Sequence, residues 1–176
     1  MYIRAFQVFF LTSLFFFPAF PLHSQTVSDS LCEGSIYVKT EDYEGVIFGI
    51  NCPENVIDDK AYRWSPTEED IAKAEKLMKK YIVRSVEKKH RMLNQISTPI
   101  VHQNFDKYYR QYLGYIDKRG RKILYVNCFW KDKENQFPGW KRKYVKVLDG
   151  GSYYWQINVN LKKKKCFDYS VNGYGG

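Results

Sequence analysis

The sequence predicts an α+β fold, in which one long amphipathic helix packs on a curved antiparallel sheet of four or five strands. The first observation is the alternation of apolar and polar side chains over residues 153–161 and again over residues 167–171, on either side of a lysine-rich turn. This period of two is typical of a half-buried β-hairpin. The second observation is an amphipathic helical pattern that begins near residue 65. Such a helix provides the cover that the apolar face of the hairpin needs.

We divide the 176 residues into three segments. They are a signal peptide over residues 1–25, an N-terminal arm with short strands over residues 26–60, and a single α+β domain over residues 61–176. The signal peptide is indicated by Arg4, by the apolar residues 5–20 and by the prolines at its end. The apolar stretch is short for a membrane span, so we expect cleavage and no transmembrane span afterwards. The expected location is the periplasm, the cell surface or the extracellular space, with a retained membrane anchor as the alternative.

Export makes the four cysteines informative, because disulfides form in oxidising compartments. Four cysteines allow three complete pairings, and the sequence does not choose among them. A bond between Cys32 and Cys52 would staple the N-terminal arm, whereas one between Cys128 and Cys166 would join two strands. We expect at least one disulfide, although Cys128 also fits as a small buried apolar residue in a strand.

The N-terminal arm contains two β-prone stretches, residues 35–39 and 45–50. A turn is expected between them. The two stretches form either one hairpin or two pieces of an edge strand.

The helix that follows is predicted to begin at a capping box. Ser65 is the expected N-cap, Pro66 the first helical residue and Glu68 the partner three positions after the cap. The apolar positions then recur at helical spacing, at Ile71, Ala74 and Met78. The helix is expected to end between residues 83 and 90.

The rest of the chain is predicted to be mainly strands joined by hairpin turns. The strands are expected from residue 105 to 116, over residues 121–130 and over residues 140–148, before the final hairpin. Residues 117–120 are expected to form a hairpin turn. Both faces of the 121–130 strand are apolar in part, so we place that strand at the centre of the sheet.

The order of elements resembles the cystatin-like class, in which a curved antiparallel sheet wraps one long helix; an NTF2-like cone is the near alternative. Four short motifs are similar to those of small exported proteins of unknown function from gram-negative bacteria. They are Trp64-Ser65-Pro66-Thr67, Tyr125-Val126-Asn127-Cys128-Phe129, Asp149-Gly150-Gly151-Ser152 and Val171-Asn172-Gly173. This resemblance covers residues 60–176. It implies that helix and hairpin belong to one domain, and it implies no activity.

The formal net charge of +9 favours binding to anions. Nucleic acid, anionic lipid, acidic glycan and acidic protein are the general classes, and solubility alone is the simpler explanation. Since we expect export, we expect no nucleic-acid partner. An envelope protein or a glycan is the partner class that remains.

No motif in the sequence indicates catalysis, a cofactor or a metal. The pair Glu87 and His90 has a spacing used in carboxylate-bridged metal sites, but it occurs once, and such sites need two copies. A nucleophilic Cys128 with His90 or His102 as its base would need an exposed thiolate. Cystatin inhibitors carry Gln-x-Val-x-Gly after the helix, and here the nearest match is Gln25-Thr26-Val27-Ser28-Asp29, before it. We therefore expect no catalytic residue, no cofactor and no metal.

These patterns favour an exported, non-catalytic binding or accessory module of unknown ligand. The alternative hypothesis is a small secreted hydrolase with an unrecognised active site. If a binding surface exists on the final hairpin, we expect it on the face opposite the helix. Its residues there are Tyr154, Gln156, Asn158 and Asn160.

Overall fold

The computed structural model describes residues 31–52, 62–90 and 98–173, with the side chains of residues 85–90 and 134 outside the description. The predicted signal peptide lies outside the described residues. The described elements, in chain order, are strands β1 (Ile36–Lys39), β2 (Glu44–Ile47) and β3 (Arg63–Trp64), helix α1 (Glu68–His90), and strands β4 (Tyr108–Ile116), β5 (Lys122–Trp130), β6 (Tyr154–Asn160) and β7 (Lys165–Val171).

The strands form one open, mostly antiparallel sheet in the order β1-β2-β4-β5-β6-β7, with β3 on the edge of β4 beyond β2. The expected four or five strands become seven, because the hairpin of the arm, β1 and β2, and the short strand β3 join β4 to β7 in one sheet. The pairing of β2 with β4 is parallel. A parallel neighbour needs a long crossover, and α1 lies within the connection between these two strands. Strand β5 is central, as its two apolar faces predict.

Helix α1 covers one face of the sheet through a stripe of apolar side chains. The fully buried residues of this first core include Ile71, Ala74, Met78 and Ile82 on the helix, and Tyr112, Val126, Trp155 and Ile157 on the sheet. Their spacing of three or four residues places the helical members on one face. Burying each large side chain contributes about 1.5–3 kcal/mol. The prediction of an α+β fold with one helix packed on the sheet is confirmed.

The helix begins two residues later than the sequence predicts. Oγ1 of Thr67 accepts a hydrogen bond from the main-chain nitrogen of Asp70 at 3.2 Å, and Oδ2 of Asp70 accepts one from the main-chain nitrogen of Thr67 at 3.0 Å. Thr67 is therefore the N-cap of a reciprocal capping box. The prediction of Ser65 as the cap was wrong, because Ser65 with Glu68 and Thr67 with Asp70 match the same local signature at overlapping positions.

The opposite face of the sheet is covered by residues 137–149, which we call the strap. The strap contains no strand, so the predicted strand over residues 140–148 was wrong. Its apolar side chains instead close a second core against the sheet, where Trp140 and Val145 pack among Leu113, Phe129 and Tyr154. The main-chain polar groups of the strap form hydrogen bonds with side chains of the sheet. They therefore do not pair with the main chain of a neighbouring strand.

A bulge in β7 changes which residues of the final hairpin face the helix. Asp168 has a left-handed backbone, with φ of +50°, and the register with β6 shifts between Gln156 and Asn158. An extra residue in a strand reverses the alternation beyond it. Cys166 consequently belongs to the first core, whereas Phe167, expected there from its alternation, lies opposite Asn158 outside that core.

The cysteines include one disulfide. Cys32 is bonded to Cys52, with the two Cα atoms 6.1 Å apart. This disulfide constrains the N-terminal arm and is one of the candidate pairings that the sequence allowed. Cys128 and Cys166 are free and buried. Cys128 lies opposite Arg110 and Trp155, whereas Cys166 lies opposite Val159. Among the helices described, none is long and apolar enough to cross a membrane.

Candidate functional site

The predicted binding face of the final hairpin is largely occupied by the protein itself. Tyr154 is buried beneath the strap, where its ring packs at 6.0 Å between centroids against Phe137. Gln156 donates from Nε2 to Oδ1 of Asn127 at 3.4 Å and of Asn172 at 3.0 Å. Through these contacts, Tyr154 and Gln156 attach the strap and the C-terminal residues to the sheet.

A row of amide side chains, of which Gln111 and Asn127 are buried, attaches the strap to the sheet. Gln111 donates to the carbonyl oxygens of Trp140 at 2.6 Å and Lys143 at 2.7 Å, and its Oε1 accepts from the main-chain nitrogen of Val145 at 2.9 Å. Asn127 donates to Oε1 of Gln111 at 3.0 Å and to the carbonyl oxygen of Val145 at 2.9 Å. We call Gln111, Asn127, Gln156 and Asn172 the amide row; it satisfies strap groups that would otherwise be buried without partners.

The other two residues of the predicted face differ from this pair. Asn158 accepts from the hydroxyl of Tyr115 at 3.2 Å and lies near the edge of the sheet. Asn160 is at the end of β6, where only 5% of it is exposed. Of the four predicted residues, Asn160 alone lines the cleft described next, and it does so at the point where the hairpin turns.

A cleft of about 750 Å³ lies at the end of the sheet where the turns after β4 and β6 stand side by side. The antiparallel pairing of β5 with β6 brings these two turns together. Five cations line the cleft: Arg119 and Arg121 from the first turn, Lys122 from the start of β5, and Lys162 and Lys163 from the second turn. A smaller adjoining cavity shares Arg121, Asn160 and Lys163 with it and adds Lys165 and Phe167. We call the two together the basic groove.

The turn after β4 is held by one carboxylate. Asp117 accepts from the main-chain nitrogens of Arg119 and Arg121, both at 2.9 Å, and from Nε of Arg121 at 2.6 Å. The hydrogen bond from the Arg121 side chain is the main reason that the pKa of Asp117 falls to about 2. Gly120 supplies the left-handed residue of this turn, with φ of +68°. The predicted hairpin turn is confirmed, and its backbone is fixed so that Arg119 projects from it.

An amide plays the same part in the turn after β6. Oδ1 of Asn160 accepts from the main-chain nitrogen of Lys163 at 2.9 Å, and Lys164 closes the turn by donating to the carbonyl oxygen of Leu161 at 3.2 Å. Such a side-chain acceptor mimics the backbone of a turn. The lysines of this turn are exposed, and the backbone beneath Lys163 has a defined position.

An aromatic ring lines the larger cavity of the groove. Trp64 donates from Nε1 to the carbonyl oxygens of Tyr115 at 3.1 Å and Ile123 at 3.2 Å. Its ring lies so close to Gly114 that no β-carbon would fit there. Nζ of Lys122 is 5.1 Å from the ring centroid. The indole is therefore fixed against the sheet on one side and faces a cation on the other.

Most cations of the groove have no carboxylate partner within the part of the chain that the structure describes. Arg121 is paired with Asp117, but no described carboxylate lies within 4.0 Å of Arg119, Lys162 or Lys163. The acid that lines the groove, Asp70, already accepts two hydrogen bonds from Thr67 at the helix cap. The groove consequently carries a local excess of positive charge, which suits an anionic ligand.

Cys128 and His102, two of the residues considered for catalysis, do not line this groove. Cys128 is fully buried, and burial raises the pKa of its thiol well above the usual value. His102 lies in a short 3₁₀ helix and Asp149 in the strap, whereas the side chains of Glu87 and His90 lie outside the description. Within the described ranges, no group of three or more His, Cys, Asp or Glu residues could hold a metal ion.

The basic groove was not identified from the sequence. The sequence indicates a lysine-rich turn in the final hairpin and a second hairpin turn at residues 117–120, but it does not indicate that the two turns meet. The register of β5 with β6 would have been the decisive signal, since it determines that the two turns share one end of the sheet. No known protein family, curated protein or solved structure matches the chain.

Proposed function

We propose that the protein is an exported, non-catalytic binding module that holds an anionic partner in the basic groove. The observation that supports this most directly is the convergence of five cations, from two turns and the start of β5, on one concave site. Like charges repel one another, so a cluster with few carboxylates is stabilised when an anion occupies it. The volume of about 750 Å³ falls in the usual range of ligand sites.

The burial of Cys128 favours binding over the alternative of a small secreted hydrolase. A nucleophile needs an exposed thiolate with a base in reach, and Cys128 is buried with a raised pKa. The hydrolase hypothesis therefore has no candidate nucleophile among the cysteines. The test is to incubate the protein with the anion that it binds and then to recover the anion. Cleavage of the recovered anion would favour an enzyme.

Export is supported by the disulfide between Cys32 and Cys52, because such bonds persist in oxidising compartments. It is tested by fractionating cells that produce the full chain and by sequencing the N-terminus of the recovered protein. A mature chain that begins close to residue 26 in the exported fraction supports the proposal. A full-length chain in the cytoplasm contradicts it.

We also propose a cystatin-like arrangement for α1 and the antiparallel strands β4 to β7. The parallel pairing of β2 with β4 departs from that arrangement at one edge. An experimental structure that shows the sheet curving around α1 would support the assignment.

Anion binding is tested by calorimetry with inorganic polyphosphate at low ionic strength. The groove variant is R119Q/K162Q/K163Q. The control variant K76Q/K80Q/R84Q removes the same charge from exposed residues of the helix, which line a second basic cavity. Exposed ion pairs contribute little individually, so we expect the groove variant to lose roughly tenfold or more in affinity from the three together. The control should lose less than about twofold. Equal losses in the two variants, or no binding by the natural protein, would overturn the proposal.

A further inference from the structure

The C-terminal end of the strap is held by an asparagine that is followed by a glycine. Asn172 and Gly173 come directly after β7, outside the basic groove. The side-chain amide of Asn172 donates from Nδ2 to the carbonyl oxygen of Val147 and, at 3.2 Å, to that of Asp149. Its Oδ1 accepts from Nε2 of Gln156 at 3.0 Å. We call these three hydrogen bonds the latch, since they join the end of the strap to the sheet.

An asparagine that precedes a glycine is chemically labile, because its side-chain carbonyl carbon lies within reach of the next main-chain nitrogen. A side chain on the following residue hinders the approach to that nitrogen, and glycine has none. Asn172 is the one asparagine of the sequence that precedes a glycine, whereas the others precede Cys, Val, Gln, Phe or Leu. The sequence therefore singles out Asn172 as the asparagine most prone to deamidation.

Deamidation converts the side-chain amide to a carboxylate in two steps. The main-chain nitrogen of Gly173 attacks Cγ of Asn172 and forms a cyclic succinimide. The bond between Cγ and Nδ2 breaks, and Nδ2 leaves as ammonia with the proton that the Gly173 nitrogen gives up. Water then opens the ring by adding a hydroxyl to one carbonyl carbon and returning a proton to the nitrogen. The products are aspartate and isoaspartate, and no oxidant or reductant takes part.

The folded protein protects Asn172 and Gly173 from this reaction. Nδ2 is the leaving group, so its two hydrogen bonds to the strap must break. Ring closure also moves the main chain on both sides of the bond, and that main chain is fixed. The nitrogen of Asn172 donates to the carbonyl oxygen of Tyr154, and the nitrogen of Gly151 donates to that of Gly173, both at 3.0 Å. The reaction consequently proceeds from a locally opened state in which the latch is broken.

The product of the reaction cannot re-form the latch. A carboxylate accepts hydrogen bonds and donates none. Its oxygens would face the carbonyl oxygens of Val147 and Asp149, which lose their donor and meet a negative charge instead. In isoaspartate the main chain also runs through the β-carbon and is one atom longer. Either product therefore favours the opened strap.

We propose that Asn172 is a site of spontaneous deamidation, and that this modification irreversibly releases the end of the strap from the sheet. The closed latch protects Asn172, so the modification accumulates in molecules whose strap has opened. Val147 packs against the second core, and its release uncovers part of that core. This inference is independent of anion binding in the basic groove.

The first experiment compares the rate of deamidation in the folded protein and in guanidinium chloride, at the same pH and temperature. Mass spectrometry of peptides detects the conversion of amide to carboxylate, and chromatography separates aspartate from isoaspartate. In denaturant, Asn172 should react faster than every other asparagine. In the folded protein it should react roughly tenfold or more slowly than in denaturant, because the three hydrogen bonds of the latch must break first. Equal rates in the two states, or a faster reaction at another asparagine in denaturant, would overturn the proposal.

Gly173→Val is the matched variant for the chemistry. A β-carbon at this position would lie 3.9 Å from the carbonyl oxygen of Leu148, which is an ordinary contact. The branched side chain hinders the attacking nitrogen, so deamidation of Asn172 in denaturant should fall to the rate of the other asparagines. An unchanged rate would show that the Gly173 nitrogen is not the attacking group.

Asn172→Asp tests the consequence for the strap. Trypsin should cut after the exposed Lys146 roughly tenfold faster in N172D than in the natural protein, because two hydrogen bonds to the strap are lost. N135D is the control, since it adds the same charge at an exposed residue outside the strap. The rate is measured relative to cleavage after Lys80 on the helix, because general unfolding would raise both.

The deamidated fraction of the natural protein provides the same test without a substitution. Ion exchange separates this fraction through its added negative charge, and it should show the same faster cleavage after Lys146. If cleavage after Lys146 is no faster in N172D and in the deamidated fraction than in N135D, release of the strap by deamidation is wrong.

Discussion

The guanidinium of Arg110, which has no exposed surface, lies 3.2 Å from the carboxylate of Glu75, measured from Nε to Oε1. Tyr112 donates its hydroxyl to the same Oε1 at 2.7 Å, and Arg110 also donates to the carbonyl oxygens of Phe105 and Tyr108. Burial lowers the pKa of Arg110, but the charge of Glu75 and its hydrogen bond, together with Cys128 and Tyr112, act in the other direction and raise the pKa above its usual value. The charged pair thus joins the helix to β4 inside the first core.

Arg110→Met should lower the free energy of unfolding by about 3–5 kcal/mol, because it leaves the carboxylate of Glu75 buried without its partner. The double variant R110M/E75M should lose less than the sum of the two single variants, since neither charge is then left unpaired. Urea denaturation measures both. Glu69→Gln is the control, because Glu69 forms an exposed pair with Lys73 at 2.8 Å and should change stability by less than about 0.5 kcal/mol. Equal effects of R110M and E69Q would contradict the buried pair.

Thr67→Ala should destabilise the protein by about 1 kcal/mol, because it removes the acceptor for the main-chain nitrogen of Asp70. Ser65→Ala is the matched control, since Ser65 is exposed and lies before the capping box. Thermal or urea denaturation of the two variants distinguishes the two capping patterns directly. A larger loss in S65A than in T67A would restore Ser65 as the cap.

Thiol titration of the denatured, non-reduced protein should detect Cys128 and Cys166 alone, since Cys32 and Cys52 are bonded. In the folded protein both free thiols should react slowly, because burial raises the pKa of Cys128 well above its usual value and raises the pKa of Cys166 to about 11. The double variant C32S/C52S should lose about 3 kcal/mol of stability through greater freedom of the unfolded chain. Detection of all four thiols without reductant would refute the disulfide.

Gln111→Leu should release the strap from the sheet. The substitution leaves the carbonyl oxygens of Trp140 and Lys143 and the main-chain nitrogen of Val145 without their partner, at a cost of roughly 3 kcal/mol. Limited proteolysis with trypsin should then cut the strap after Lys143 faster than in the natural protein. Ser170→Ala is the control, because its exposed hydroxyl donates only to Gln156 and its loss leaves the strap contacts in place. Equal cleavage rates in Q111L and S170A would contradict the role of the amide row.

Local patterns were sufficient to predict the helix, the central position of β5, the turn at residues 117–120 and the final hairpin. Each of these depends on side chains within a few positions of one another, so neighbouring residues carry enough information. The errors occurred where two local solutions were nearly equivalent. Ser65 and Thr67 both satisfy a capping pattern, and the alternation over residues 140–148 suits a strand as well as an irregular segment that packs on a sheet.

The strap and the basic groove depend instead on contacts between residues far apart in the chain. Gln111 is 29 positions from Trp140, and that separation carries no period that a sequence pattern could reveal. The groove exists because β5 pairs with β6 in a register that places Lys122 and Asn160 at the same end of the sheet. Composition and periodicity therefore specify which elements form and which faces are apolar. Long-range strand pairing determines which charges gather, because charges from separate turns become neighbours only when the sheet assembles.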